Sequence, residues 1–333
     1  MQASRESILP PPPGVIGSLR SGFDTIAAHI AAILLPICLD LLLWLGPRLG
    51  SQRFFAELEG SLSAVWRAAG VPTADAQAAL EMYESTVPTV NFFSFLRTLP
   101  IGVSSLWSWS LGSVSTTPLG AVSTWQVPPQ NLFAWILLLI GVGWAAGAVY
   151  YSWIARLCSS DPAGTRRRTG WALGQTVVLS IIWLGLALAL ILPAFLTISL
   201  LLQLNVILAQ LAILALSFLS MWLVVPLFFS PHGVFVKQQP ALLSIASSIK
   251  MARFTLPTSS FFVLSVFFLG VGLNFIWRAA PTDSWMTLVG ILGHAFITTA
   301  LLASSFIYYR DMTAWLDVAL ERLRAKTAVG KQA

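Results

Sequence analysis

The chain is short of charge, of cysteine and of histidine, and each shortage excludes something. Only 10% of its 333 residues are Asp, Glu, Lys or Arg, while 56% are hydrophobic; a soluble domain carries about 25% charged residues. A soluble protein of this length needs a polar outside, so this composition belongs to a chain that faces lipid. The two cysteines, Cys38 and Cys158, lie in or beside apolar stretches, and the topology derived below sends them toward opposite membrane faces. A disulfide requires Cα atoms within about 7 Å, so both read as small buried apolar residues. The three histidines, His29, His232 and His294, fall in separate segments, without the His-x-x-x-His or Cys-x-x-Cys spacing of a metal site. No serine stands in a Gly-x-Ser-x-Gly elbow, and no Gly-rich loop precedes Lys-Ser or Lys-Thr. The sequence therefore points to no enzyme, no metal and no cofactor. Its net charge of +6 does not indicate nucleic acid either, because the basic residues flank apolar segments instead of gathering on one polar domain.

What the chain has in abundance is long apolar runs. Six stand out, at 23–45, 132–157, 171–195, 197–229, 261–277 and 285–308. A bilayer core of about 30 Å takes about 20 residues of helix, so the expected fold is all-α: a polytopic membrane bundle of six transmembrane helices, with a helical, partly interfacial insertion between the first two. The parts are a Pro-rich cytoplasmic tail (1–22), the first span (23–46), an outer connection (47–131), a five-helix bundle (132–309) and an amphipathic cytoplasmic tail (310–333). The run Pro10-Pro11-Pro12-Pro13, with no Ala-x-Ala site before the first span, reads as a stiff uncleaved tail and not a signal peptide.

The distribution of Lys and Arg orients the bundle. Fourteen lie in the first tail, the connections after spans 2 and 4, and the last tail; among them are the run Arg166-Arg167-Arg168 and the pair Lys250 and Arg253. Five, Arg48, Arg53, Arg67, Arg97 and Arg278, lie on the other side. By the positive-inside rule both termini are cytoplasmic, in the cell (inner) membrane.

The long outer connection is patterned. Phe54, Leu58, Leu62, Val65 and Trp66 recur at helical spacing until Gly70 and Pro72, and a second helix begins at Thr73. From 87 to 111 the chain is apolar and aromatic, with Phe92, Phe93, Trp107 and Trp109, but Arg97, Pro100, Gly102 and several serines interrupt it. We expect an interfacial or re-entrant segment here, since a seventh span would break the parity of the charges. The segment 239–254 reads as an amphipathic helix on the inner leaflet, with Leu242, Ile245, Ala246, Ile249 and Ala252 on one face and serines and basic residues largely elsewhere. Lipids are the expected partners, with protein partners in a membrane complex a further possibility.

The intramembrane polar residues form a short list. His29 and Asp40 lie eleven residues apart in span 1, about 20° of offset on a continuous helix, so both would face one direction. Gln203, Gln210 and Ser217 repeat every seven residues in span 4, where Asn205 also lies. In span 6, Thr287, Gly290, His294, Thr298 and Ser305 form one small, polar stripe, and Asn274 stands in span 5. Two readings stand side by side: a polar cavity with Asp40 as its charged group, or hydrogen bonds that fix helix packing. In span 2, Gly143 and Gly147 form a Gly-x-x-x-Gly pattern that lets helix backbones approach, as expected for packing within the bundle.

Residues 218–270 carry one further pattern. The helix ending Met221-Trp222-Leu223-Val224-Val225-Pro226-Leu227 is followed by Ser230-Pro231-His232-Gly233, then Ala246-Ser247-Ser248, Lys250-Met251-Ala252-Arg253-Phe254 and another span. This resembles the recurring unit of bacterial multi-pass proteins related to the membrane domain of glycerophosphodiester phosphodiesterases. The acidic residue usual after the proline is replaced here by Ser230-Pro231. The resemblance implies a membrane helix bundle and carries no enzymatic role. The function expected from all this is a structural, assembly or accessory-subunit role, with transport of a small solute or lipid as the alternative.

Overall fold

A computed structural model describes residues 11–86, 90–107, 116–159 and 169–330. Arg5, Pro10, Trp109, Leu111, the Arg166-Arg167-Arg168 run and Lys331 lie outside the described residues.

The chain opens with α1 (Val15–Ala28), a 3-10 turn (Ile30–Ile33) and α2 (Leu34–Leu45). The first apolar run is thus not one continuous helix. His29, with φ −130° and ψ 56°, breaks it. Next come β1 (Arg48–Gly50), α3 (Gln52–Ala68), α4 (Thr73–Thr86) and a second 3-10 turn (Phe92–Leu96). The short strands β2 (Thr116–Thr117), β3 (Gly120–Ala121) and β4 (Thr124–Gln126) follow, and after them α5 (Pro129–Leu157), α6 (Thr169–Leu204), α7 (Val206–Phe228), α8 (Ser230–Val236), α9 (Ala241–Trp277) and α10 (Met286–Gly330). Among the described residues, five helical stretches, on α5, α6, α7 running into α8, α9 and α10, are long and apolar enough to cross a membrane; a sixth crossing counts α1 and α2 as one broken span. The protein is an all-α polytopic membrane bundle.

Three boundaries differ from the sequence reading. α6 continues through Pro193 to Leu204, and the turn into α7 falls at Asn205. A proline inside a membrane helix is tolerated because neighbouring groups take up the freed backbone bonds. The amphipathic segment at 239–254 is the first part of the 37-residue α9, separated from the rest by non-helical Thr255 (φ −126°, ψ 25°) just before Pro257. α10 runs 45 residues without a break, so the C-terminal amphipathic stretch continues the last membrane helix.

The residues form two compact units. One comprises Met1–His29, Ser152–Leu269 and Ala300–Ala333. Its core packs Val225, Phe229, Met251, Phe262, Tyr308, Tyr309 and Met312, with the Phe262 and Tyr308 rings stacked at 4.2 Å between centroids. The start of α9 turns its serines inward. Ser244 Oγ donates to the Ser230 carbonyl at 2.5 Å, and Ser248 Oγ donates to that of Pro226. These hydroxyls satisfy carbonyls at the α7–α8 junction, and Leu242 and Ile249 are left facing outward. His232 is buried beside them, its Nε2 2.6 Å from Ser305 Oγ.

The other unit comprises Ile30–Tyr151 and Gly270–Thr299. A parallel two-stranded ladder closes its insertion: Arg48 pairs with Thr124, Leu49 with Trp125 and Gly50 with Gln126. Side chains reinforce the closure. Ser51 Oγ donates to the Val127 carbonyl at 2.8 Å, and Asn91 Oδ1 accepts from the Leu49 N–H at 3.0 Å. Leu49, Phe92, Val127, Leu132 and Leu139 form the apolar cluster beneath the ladder.

Candidate functional site

Residues 91–107 lack the periodicity of a spanning helix, and the structure shows what they do instead. Phe92 packs with Leu132 and Leu139 near the start of α5. Farther along the same helix, a Cβ on Gly143 would lie 2.5 Å from the Leu96 carbonyl oxygen, and one on Gly147 would lie 2.8 Å from Gly102 Cα. Tyr151 then donates its hydroxyl to the Pro100 carbonyl at 3.3 Å. The return leg follows α10: Ser104 Oγ is 2.9 Å from Thr298 Oγ1, and Leu106 and Trp107 pack with Ile291, Leu288 and Trp44. Leu139 to Gly147 is about 12 Å of helix, and Thr298 to Leu288 about 15 Å. The segment therefore dips along α5 to the middle of that helix and comes back along α10. Non-helical backbone at membrane depth is tolerated where protein buries it, and Ile101, Val103, Ser105 and Leu106 are all buried.

Asp40 holds the return leg. Its carboxylate is fully buried, accepts from Ser105 Oγ at 2.6 Å, and accepts from the Leu106 N–H at 3.0 Å through both oxygens. Arg97 closes the loop on itself, donating from Nε to the Ser94 carbonyl at 3.2 Å and from Nη1 to that of Trp107. Nearby, Trp44 Nε1 donates to the Thr282 carbonyl at 2.7 Å, the Trp277 ring lies on Gly293, and Arg278 stands 5.9 Å above the Trp107 ring. Tyr150 and Thr299 share a buried hydroxyl contact at 2.8 Å.

The expected site residues separate into two groups. Asp40, His294 and Asn274 are buried in this unit. Among the described residues, His294 Nε2 and Asn274 Oδ1 have no hydrogen-bond partner. His29 does not join them. It is exposed, with Nδ1 3.0 Å from the Thr25 carbonyl oxygen, because the break at this residue removes the continuous helix on which the shared direction with Asp40 depended. Gln203, Asn205 and Gln210 are exposed as well. Their seven-residue stripe is divided between two helices, since Asn205 is the N-cap of α7 and accepts from the Ile207 N–H at 2.7 Å. Cys38 is likewise exposed and not buried, whereas Cys158 is buried. Gly143 and Gly147 admit the backbone of a loop where the pattern suggested another helix. Sequence reasoning missed Ser105 and Leu106 as partners of Asp40; the only signal was the cluster of Arg97, Pro100, Gly102 and serines interrupting an apolar run.

Chemically, the arrangement is an anchor. Among the described residues, the hydrogen bonds on the Asp40 carboxylate go to Ser105 and Leu106 of the loop. The chain matches no protein-family model, and no curated protein or solved structure is significantly similar to it.

Proposed function

We propose that this protein is a non-catalytic accessory or assembly component of the cell (inner) membrane, with both termini cytoplasmic and the 47–131 insertion on the outer side. The observation that carries the reading is the saturation of the buried Asp40 carboxylate: it is spent on Ser105 and Leu106, and a transport group needs freedom to exchange a proton or a solute. The charge pattern supports the orientation. Every described member of the fourteen basic residues assigned to the cytoplasm lies in the first unit, and Arg48, Arg53, Arg67, Arg97 and Arg278 all lie in the second. The outward Leu242 and Ile249, with Lys250 and Arg253 on the same short helical stretch, suit an anionic leaflet, where each basic residue contributes about 1 kcal/mol. Likeness of residues 218–270 to the membrane domain of glycerophosphodiester phosphodiesterases fits a membrane-embedded role.

One observation favours the second reading, passage of a small solute or lipid: a re-entrant segment lies in the same unit as His294 and Asn274, whose buried polar atoms lack protein partners. Asp40→Asn separates the two. An accessory protein keeps its cellular function in this variant and co-purifies in mild detergent with the same partners at the same stoichiometry. Loss of function at normal expression and with an unchanged complex establishes the transport reading.

A further inference from the structure

A narrow groove runs along α7 where that helix packs on α9. It measures about 140 Å³ and is lined by Phe218, Trp222 and Val225 of α7 and by Leu256 and Ser260 of α9. Phe218, Trp222 and Val225 follow one another at steps of four and three, so they stand on one face of α7. From Val225 to Phe218 that face is about 10 Å long, against about 15 Å for the apolar half of one leaflet. Phe218 and Trp222 are exposed, so the groove opens sideways to the surrounding lipid, whereas Val225 is buried at the end nearest α8. The volume lies below the roughly 300 Å³ at which small-molecule pockets begin. A slender apolar chain fits such a space, and a compact solute does not.

Basic residues stand at that same end. Ser248 Oγ donates to the Pro226 carbonyl, and Met251 packs in one cluster with Val225, Phe229 and Phe262. These contacts hold the stretch 248–251 of α9 against residues 225 and 226 of α7. Lys250 lies within that stretch and Arg253 two residues beyond it; both are exposed, and among the described residues neither forms an ion pair. After non-helical Thr255 comes the part of α9 that carries Leu256 and Ser260. An apolar groove open to lipid, with two cations at one end, has the polarity of a single phospholipid: charge at the membrane surface and hydrocarbon below it. We propose that this is a site for one anionic phospholipid of the cytoplasmic leaflet, with its phosphate on Arg253 and Lys250 and one acyl chain between α7 and α9. The choice of leaflet rests on the orientation proposed above. Arginine's planar fork grips a phosphate through two parallel bonds, and lysine adds a point charge. A zwitterionic lipid offers these cations no net negative charge and is held less tightly.

The test is native mass spectrometry of the full chain, stripped of lipid in detergent and titrated with phosphatidylglycerol or with phosphatidylcholine of the same acyl chains. The expected result is one phosphatidylglycerol bound saturably, at least about tenfold tighter than phosphatidylcholine, as two basic contacts allow. Arg253→Gln combined with Lys250→Gln brings the two lipids to the same affinity, and glycerophosphoglycerol, the headgroup without its chains, does not compete. Ser260→Trp fills the groove and weakens phosphatidylglycerol at least about tenfold with both cations in place. Trp222 is exposed, so Trp222→Ala folds and removes part of the same wall even where Ser260→Trp does not fold. Equal binding of the two lipids overturns the proposal. So does wild-type affinity in the folded double variant or in a folded groove variant, and so does competition by the free headgroup, which marks a phosphate site without a lipid. Binding in detergent has no sidedness, so these outcomes leave the orientation standing; the orientation fails separately, if a Gly330→Cys protein is labelled from outside the cell.

Discussion

At the scale of single residues, Asp40 does the most work for its size. A carboxylate in an apolar helix is costly unless paired, and here one side chain satisfies a hydroxyl and a backbone N–H of a segment 65 positions away. Asp40→Asn preserves size and an acceptor oxygen, so the variant stays folded. Asp40→Leu leaves the Leu106 N–H buried without its acceptor and costs about 1–3 kcal/mol. Thermal unfolding in detergent checks both: a small shift for Asn, a large one for Leu. Asp40 was legible in the sequence as a lone acid in an apolar run, but its partners were not. Serines and a main-chain N–H are too common to single out. His29 shows the converse failure, because its sharing a face with Asp40 rested on an unbroken helix and no Gly or Pro near it announced the break.

At the scale of elements, α5 is shaped for a loop. Gly143 and Gly147 face the backbone of residues 96–102, whereas a Cβ on Gly141 meets nothing within 4 Å. Gly141→Ala therefore stabilises by about 0.5–1 kcal/mol, the ordinary gain in a helix interior, while Gly143→Ala and Gly147→Ala destabilise by about 1–3 kcal/mol through overpacking. Melting temperatures of the three purified variants decide this; equal effects at all three positions contradict the loop seat. The Gly-x-x-x-Gly spacing was legible, and so was close backbone approach. The identity of the approaching backbone was not, since a glycine pattern records how near a neighbour comes and not whether it is helical. The α6–α7 turn was misplaced as well: the apolar runs were divided at 195–197, but α6 passes through Pro193 to Leu204, and the true end is Asn205, whose side chain caps the next helix.

At the scale of the whole molecule, membrane character and helical class were legible because apolar length is a direct measure of bilayer thickness. The closure of the insertion was hidden. Arg48–Gly50 and Thr124–Gln126 are three residues each and pair across more than 70 positions, too short and too distant for periodicity to detect. That ladder brings the two ends of the insertion together, and residues 91–107 dip between α5 and α10 and return. The central claim is that this segment enters the bundle without crossing the membrane. Topology reporters fused at Ser85 and at Thr117 test it most directly: the account predicts that both report the outer side, and reporters on opposite sides would contradict it by establishing a further span.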